Sequence, residues 1–531
     1  MNRILLSTFS LIGLLNFAGA QKVKVNWGEE SKTELEYKSF VNGSGTDMIK
    51  LCFENKYTVL GAKKSITPTL VRYDEKLAEK NAKKFEVDDK NIKFDNLLSI
   101  KGRLYMFTNQ YDPSSKITGF YCQPINITTL ALEGTPINLG SFDAINKSTQ
   151  SSVGYEISKD SSKILMFGLA PSSKKDNEKY YMGVYDYNMN KLWGRTVELP
   201  YKDKFIEVLG QLVTNEGKVG VIIKHYDQEV SKESILKDGS RSPSYKTKFL
   251  VYEDESTNPA EYELNLNNKF VHAIQVTDES NDNLVLFGLY KEKYNGYVSG
   301  FFINSISKIT KEVLTKKMEA FPATLIEQIK IDKQGSDKEK DPGLASEFKL
   351  TEVVTRNDSS RDYILEYYKA TLKQHITSRP GQFDYRNESY WEYNYGDIID
   401  VNIKPAGSVV ITRIPKMQNS KNIQIYSSFK AMPYKNKLLL FYNDTDGNID
   451  RDLSKKPDDF HNFQKSVFSM AVVDAKGNLT RSILSDYKDT KLITAIKECK
   501  RIDNKRLGLY AQKLQGFFSW GRDMVGILQV D

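Results

Sequence analysis

The chain has 531 residues, 40% apolar and 27% charged, with 76 Lys and Arg against 68 Asp and Glu for a formal net charge of +8. That balance excludes a disordered tail, a collagen-like fibre and a polytopic helical membrane protein; the length allows three or four ordinary domains or one large repeat fold. The three cysteines, Cys52, Cys122 and Cys499, lie far apart in sequence, which excludes a disulfide framework and a metal knuckle.

The first 20 residues predict a signal peptide. Arg3 supplies a positive start, Ile4 to Phe17 an apolar-rich stretch, and Ala18-Gly19-Ala20 the small-x-small pattern before a mature start at Gln21. The stretch is short for a span of about 20 apolar residues, and no later segment is apolar enough to cross a membrane as a helix. The expectation is an exported protein of residues 21–531, in the periplasm or associated with an outer membrane. The lysines are scattered among Asp and Glu without a long basic block, so nucleic acid is not expected as a partner.

Along the chain, one short form recurs: a polar stretch, then three to five mostly apolar or aromatic residues. It appears at Tyr57–Leu60, Leu104–Phe107, Ile164–Phe167, Val219–Ile222, Leu284–Phe287, Tyr363–Leu365, Leu438–Phe441 and Leu507–Tyr510. Such runs read as strands, and because they do not alternate, both faces should be covered. A second element follows many of them, a strand ending in an acid or amide before a polar turn: Val71–Asp74, Val184–Asp186, Phe301–Asn304 and Val472–Asp474.

Each unit thus holds about four antiparallel strands. The predicted fold is all-β: a single β-propeller domain of seven or eight four-stranded blades, with a segment near Lys22–Trp27 or Leu35–Tyr37 supplying the strand missing from the last unit and closing the ring. A membrane barrel would alternate apolar and polar residues, which Leu438–Phe441 and Ile164–Phe167 do not.

The long connections are 226–246, 317–347, 369–395 and 443–465. All fall between second and third strands or between blades, which in a propeller emerge on one face, where binding usually resides. Segment 317–347 reads as a charged linker. Segment 369–395 reads as an aromatic loop carrying Phe383, Tyr385, Tyr390, Trp391, Tyr393 and Tyr395, side chains suited to anchoring a protein or a sugar. Asp444–Asp450 resembles a calcium loop but has Tyr442 and Leu453 where an acid and a glutamate are required, so no metal is expected there. No nucleophile elbow, zinc motif, phosphate loop or dinucleotide fingerprint occurs, so neither catalytic residues nor a cofactor are assigned.

Tyr395-Gly396-Asp397, Gly407, Ile414-Pro415-Lys416, Gln418, Ser427-Ser428 and Tyr442-Asn443-Asp444, in that order, resemble a family of exported, β-propeller-like proteins of Bacteroidota. The likeness covers about residues 345–480 and departs at Val410, where the family pattern has tryptophan; elsewhere only the repeat rhythm matches. The chain is also similar in size and origin to the soluble periplasmic plug of the type IX secretion translocon. The resemblance carries over no catalytic residues; the signal peptide, the long loops on one face and the missing catalytic motifs lead to the expectation of a non-enzymatic scaffold that binds a protein partner, an outer-membrane translocon. The second reading is a propeller that binds or cleaves glycans through the aromatic segment.

Overall fold

The computed structural model describes residues 23–531 except 33–35, 43–47, 58–62, 87–91, 144–152, 170–175, 230–231, 238–239, 255–257, 279–282, 332–333, 336–340, 378–385, 462 and 516–518. The signal-peptide region, residues 1–20, therefore lies outside the described residues.

Among the described residues, eight antiparallel sheets of at least four strands follow one another along the chain, with a separate two-stranded hairpin at Ser234–Lys237 and Ser240–Pro243. We number the sheets 1 to 8 by their first full-length strands. Sheet 1 begins at Glu36–Asn42, sheet 2 at Ile92–Ile100, sheet 3 at Val153–Ile157 and sheet 4 at Ile206–Val213. Sheet 5 begins at Phe270–Asp278, sheet 6 at Phe348–Thr355, sheet 7 at Lys430–Tyr434 and sheet 8 at Leu492–Thr494.

The packing makes these sheets a closed wheel. Each apolar cluster lies between two successive sheets: sheets 1 and 2 share Ile49, Leu70, Leu104 and Ile125, and sheets 5 and 6 share Phe287, Phe301, Tyr363 and Ile399. The series continues around the ring until sheets 7 and 8 share Phe441 and Leu528, and sheets 8 and 1 share Tyr510 and Phe40. A strand inside such a sheet is covered on both faces, which is why its apolar residues need not alternate. The protein is a β-propeller.

First strands lie innermost: those of sheets 1 and 2, and of sheets 3 through 7 in succession, touch one another, while in sheet 8 the short strand Lys500–Arg501 meets the first strands of sheets 7 and 1. Five of them carry a β-bulge near mid-strand, at Tyr37/Ser39, Phe94/Asn96, Val208/Gly210, Val271/Ala273 and Leu350/Glu352. A bulge adds twist and bend, which suits a strand turning along a crowded axis.

The ring is closed by the chain's own beginning. Val23–Trp27 pairs with the last strand, from Val23 opposite Val530 to Trp27 opposite Gly526, as the outer strand of sheet 8. Of the two segments expected to do this, the first is used, through its described residues Val23–Trp27, while Glu36–Asn42 opens sheet 1.

Seven of the eight apolar runs fall on second strands, for example Leu438–Phe441 within Lys437–Thr445. The first does not fit: Tyr57 ends the strand Met48–Tyr57, residues 58–60 lie outside the described residues, and the buried stretch is Met48–Cys52. Three of the four acid or amide positions sit at the hairpin between third and fourth strands. Asp74, Asp186 and Asp474 each accept backbone N–H groups two and four residues on. The residue three positions on is left-handed in each turn: Leu77 at φ 63°, Met189 at 66° and Gly477 at 87°. Leu77 and Met189 are buried, so packing offsets the strain of a side chain in that conformation. Asn304 instead lies mid-strand in Val298–Ser307.

Candidate functional site: a rooted aromatic arm

Segment 369–395 is not the loop expected from the sequence. It is largely a hairpin arm, formed where the second and third strands of sheet 6, Arg361–Thr377 and Arg386–Ile403, continue past their inner neighbour. The inner strand pairs only as far as Tyr367, and a register shift between Glu366 and Tyr368 marks where the arm leaves the blade. From there ten residue pairs, Tyr368 with Tyr395 through Thr377 with Arg386, extend about 30 Å. The other long segments also hold structure: 226–246 contains the Ser234–Pro243 hairpin, and 443–465 begins with the end of the second strand of sheet 7. The expected linker 317–347 contains a helix, Ala323–Lys330, whose Leu325, Ile326 and Ile329 fill the core between sheets 5 and 6.

Strand alternation divides the arm into two faces. Tyr368, Ala370 and Leu372 stand opposite Tyr395, Tyr393 and Trp391 on one face; Lys369, Thr371 and Lys373 stand opposite Asn394, Glu392 and Tyr390 on the other. The aromatic face runs from inside to outside. Tyr395 is buried, its ring 4.8 Å from that of Tyr368. Farther out, Trp391 and Tyr393 stack nearly parallel at 6.4 Å. Trp391 is 45% exposed and its cross-strand partner Leu372 49% exposed. Tyr390 lies on the polar face, with the Lys421 ammonium 5.0 Å over its ring. Phe383 and Tyr385 lie outside the described residues. The six expected site residues therefore divide: Trp391 and Tyr393 form the outer platform, Tyr395 is a root, and Tyr390 faces away.

The arm is held by short flanking contacts and a deep polar network. The strand Gln418–Lys421 pairs with Tyr395–Glu392, and the Trp391 N–H donates to Asn422 Oδ1 at 2.9 Å while the Asn422 N–H donates to the Trp391 carbonyl at 2.8 Å. At the root, the Tyr395 hydroxyl donates to Gln424 Oε1 at 2.6 Å, and Lys497 bonds to both Tyr395 and Gln424. Two residues on, Asp397 accepts from Arg413 Nε at 2.6 Å and from the Lys416 N–H at 3.0 Å. Lys416 Nζ donates to Glu366 and Gln418; Ser428 donates its hydroxyl to Glu366 and its N–H to Gln418. Gln418 Nε2 donates to the Asn443 carbonyl, and Asn443 Nδ2 to the carbonyls of Tyr426 and Thr494. The network thus ties sheet 6 to sheets 7 and 8.

A second cluster lies toward the opposite end of sheet 6. Arg356 makes a forked pair with Asp362, with N–O distances of 2.7 to 3.0 Å, and reaches Asp400 at 3.3 Å. Its remaining donors go to the carbonyls of Asn436 and Asp474 in turns of sheet 7. Burial, and then the neighbouring Asp362 carboxylate, push Asp400 well above its ordinary value. Burial likewise raises Asp397 and takes Asp444 to about 6.

Six of the residues on which the resemblance rests, Tyr395, Asp397, Lys416, Gln418, Ser428 and Asn443, belong to the network at the root of the arm. Asp397, Lys416 and Gln418 are buried and bonded to Arg413, to Glu366, to one another and to backbone, an arrangement that holds the root of the arm in place. At Asp444–Asp450, Asn448 Nδ2 donates to Asp444 at 2.6 Å and Asn448 Oδ1 accepts the Asp458 N–H at 2.7 Å, a closed polar turn.

No protein-family model matches the chain, and no curated protein sequence matches it. Solved structures do. The chain is similar to the β-propeller domain of the Trilobed protease from Pyrococcus furiosus, at 10% identity over 86% of this chain and 98% of that one, with a TM-score of 0.35. It is similar to the WD40 domain of SCAP from fission yeast, at 8% identity over 96% and 98%, with a TM-score of 0.38. Similarity to prolyl oligopeptidase B from Galerina marginata, at 8% identity and a TM-score of 0.38, covers 90% of this chain and 55% of that one, so the chain spans about half that enzyme's length.

Proposed function

We propose that the protein is a non-enzymatic, exported propeller that binds a protein partner through the aromatic face of its arm, and that this partner belongs to an outer-membrane secretion complex of the type IX class. The observation that supports binding is the pairing of exposed Trp391 and Leu372 on a strand platform rooted in a sealed network. Large apolar side chains held rigidly in solvent lose little entropy when a partner covers them, which is the character of a binding anchor. The choice of partner class rests on the N-terminal leader pattern and on the likeness in size and origin to the periplasmic plug of the type IX translocon.

Purification of tagged protein from native outer membranes tests the reading. The wild type should bring down membrane secretion components, and Trp391→Ala with Leu372→Ala should lose them while folding normally. Recovery of the wild type as a free monomer would contradict it. The near-parallel Trp391 and Tyr393 rings favour one other reading, glycan stacking; a glycan array with Trp391→Ala as control separates the two.

A further inference from the structure

The arm has two margins as well as two faces, and the margins are not alike. Along Arg386–Ile403 the outer margin is taken by the strand Gln418–Lys421. Along Arg361–Thr377 the inner strand stops opposite Tyr367, and the Tyr368 N–H makes the last bond on that side, to the Glu347 carbonyl at 3.0 Å. Among the described residues no strand pairs with that side of residues 369–377.

The ladder fixes which main-chain groups stand on this margin. Each residue of an antiparallel strand sends its N–H and C=O to one side, and successive residues alternate. Tyr368 faces the margin through its bond to Glu347. Trp391, opposite Leu372, gives its N–H and C=O to Asn422, away from Leu372, so Leu372 also directs its own groups to the margin. Ala370, Gln374 and Ile376 fall in the same phase. Ala370, Leu372 and Gln374 are exposed, and no backbone bond takes their groups among the described residues. From Ala370 to Ile376 the margin is about 20 Å of regular strand without proline or bulge, and Lys373 is the one lysine that guards it.

We propose that this margin takes an extended segment of the partner protein as an added strand. The proposal rests on the reading of the arm as the binding element. A row of evenly placed main-chain donors and acceptors is matched by the main chain of another strand. The incoming residue opposite Leu372 lies on the aromatic face beside Trp391, which calls for an apolar side chain. Its neighbours lie on the other face, where Lys369, Lys373 and Lys421 outnumber Glu347 and Glu392, which calls for acidic ones. The occupant is therefore a strand that alternates apolar and acidic residues.

A short capped peptide alternating valine with glutamate tests this on the full chain. Fluorescence polarisation should show saturable binding, and the infrared amide band of the isotopically labelled peptide should move to that of a paired strand. N-methylation of whichever set faces the margin, valines or glutamates, should weaken binding at least about tenfold, and of the other set little. Gln374→Pro should weaken it as much, because proline there removes an outward N–H and spares the inner ladder and the Leu372 and Trp391 side chains. Lysine in place of glutamate should weaken it as well. Should Gln374→Pro fail to fold, the N-methylated peptides decide alone. No binding, or an equal effect of the two N-methylated sets, would overturn the proposal, as would a dimer of the chain alone that Gln374→Pro dissolves. Capture from outer membranes separates this from the platform: loss with Trp391→Ala and Leu372→Ala but retention with Gln374→Pro refutes strand addition alone, whereas retention with both refutes the arm as the binding element.

Discussion

Lys416 donates from Nζ to Glu366 Oε1 at 2.7 Å, and neither side chain is more than 3% exposed. The pair crosses from the strand end of sheet 6 to the second strand that becomes the arm. Removing one partner leaves the other charge buried and uncompensated, which costs far more than removing both. Lys416→Met should therefore destabilise the protein by about 3–5 kcal/mol in urea unfolding, and adding Glu366→Leu should recover most of that loss. Equal losses in the single and double variants would show that the pair is not what secures the root.

The outer platform should behave oppositely. Trp391→Ala removes a side chain that is 45% exposed, so the unfolding midpoint should move little, within about 1 kcal/mol, while partner capture disappears. A large loss of stability would identify Trp391 as packing, not as an anchor.

Much of the wheel was legible because its second strands are covered on both faces and so read as uninterrupted apolar runs. The failures have local causes. In Met48–Tyr57 the buried run is broken by Lys50, whose ammonium lies 3.9 Å from Asp523 and 5.6 Å over the Tyr73 ring, so a charged letter hid a core strand. The arm reads as a loop because aromatic and polar residues mix along 369–395, although Trp391, Tyr393 and Tyr395 alternate with Glu392 and Asn394 in the period-two pattern of a strand. Helix Ala323–Lys330 was likewise hidden inside a charged segment despite apolar Leu325, Ile326 and Ile329. The polar network was not legible: Glu366 and Lys416, or Asn443 and Thr494, are distant in sequence and meet only through the fold.

Two glycines separate strain from crowding. Gly407 and Gly477 share nearly the same left-handed φ, 86° and 87°, but a Cβ at Gly407 meets nothing within 4 Å, whereas at Gly477 it would lie 2.6 Å from Val410 Cγ1. Gly407→Ala should cost about 1 kcal/mol and Gly477→Ala roughly 2–4 kcal/mol in denaturant unfolding. Equal costs would mean that Val410 yields freely.

Glu178 gives a pH dependence of defined sign. Burial, and then the adjacent Asp203 carboxylate, raise its carboxyl to about 8. An acid whose folded value exceeds its unfolded one holds its proton more tightly when folded, so stability is fullest below the unfolded value and falls as pH rises toward 8. Glu178→Gln should therefore stabilise the protein at pH 8 and make little difference near pH 4. Parallel stability curves for variant and wild type across this range would refute the assignment.

Pairing of Val23–Trp27 with Gly526–Val530 joins positions roughly 500 residues apart, a loop whose closure costs on the order of 5 kcal/mol in chain entropy. The seam cannot form until the strand Ser519–Val530 is in place beside its own sheet. Until that pairing forms, the folding chain keeps a bare sheet margin on each side of the gap, so this single contact decides when the molecule becomes safe from sticking to its neighbours.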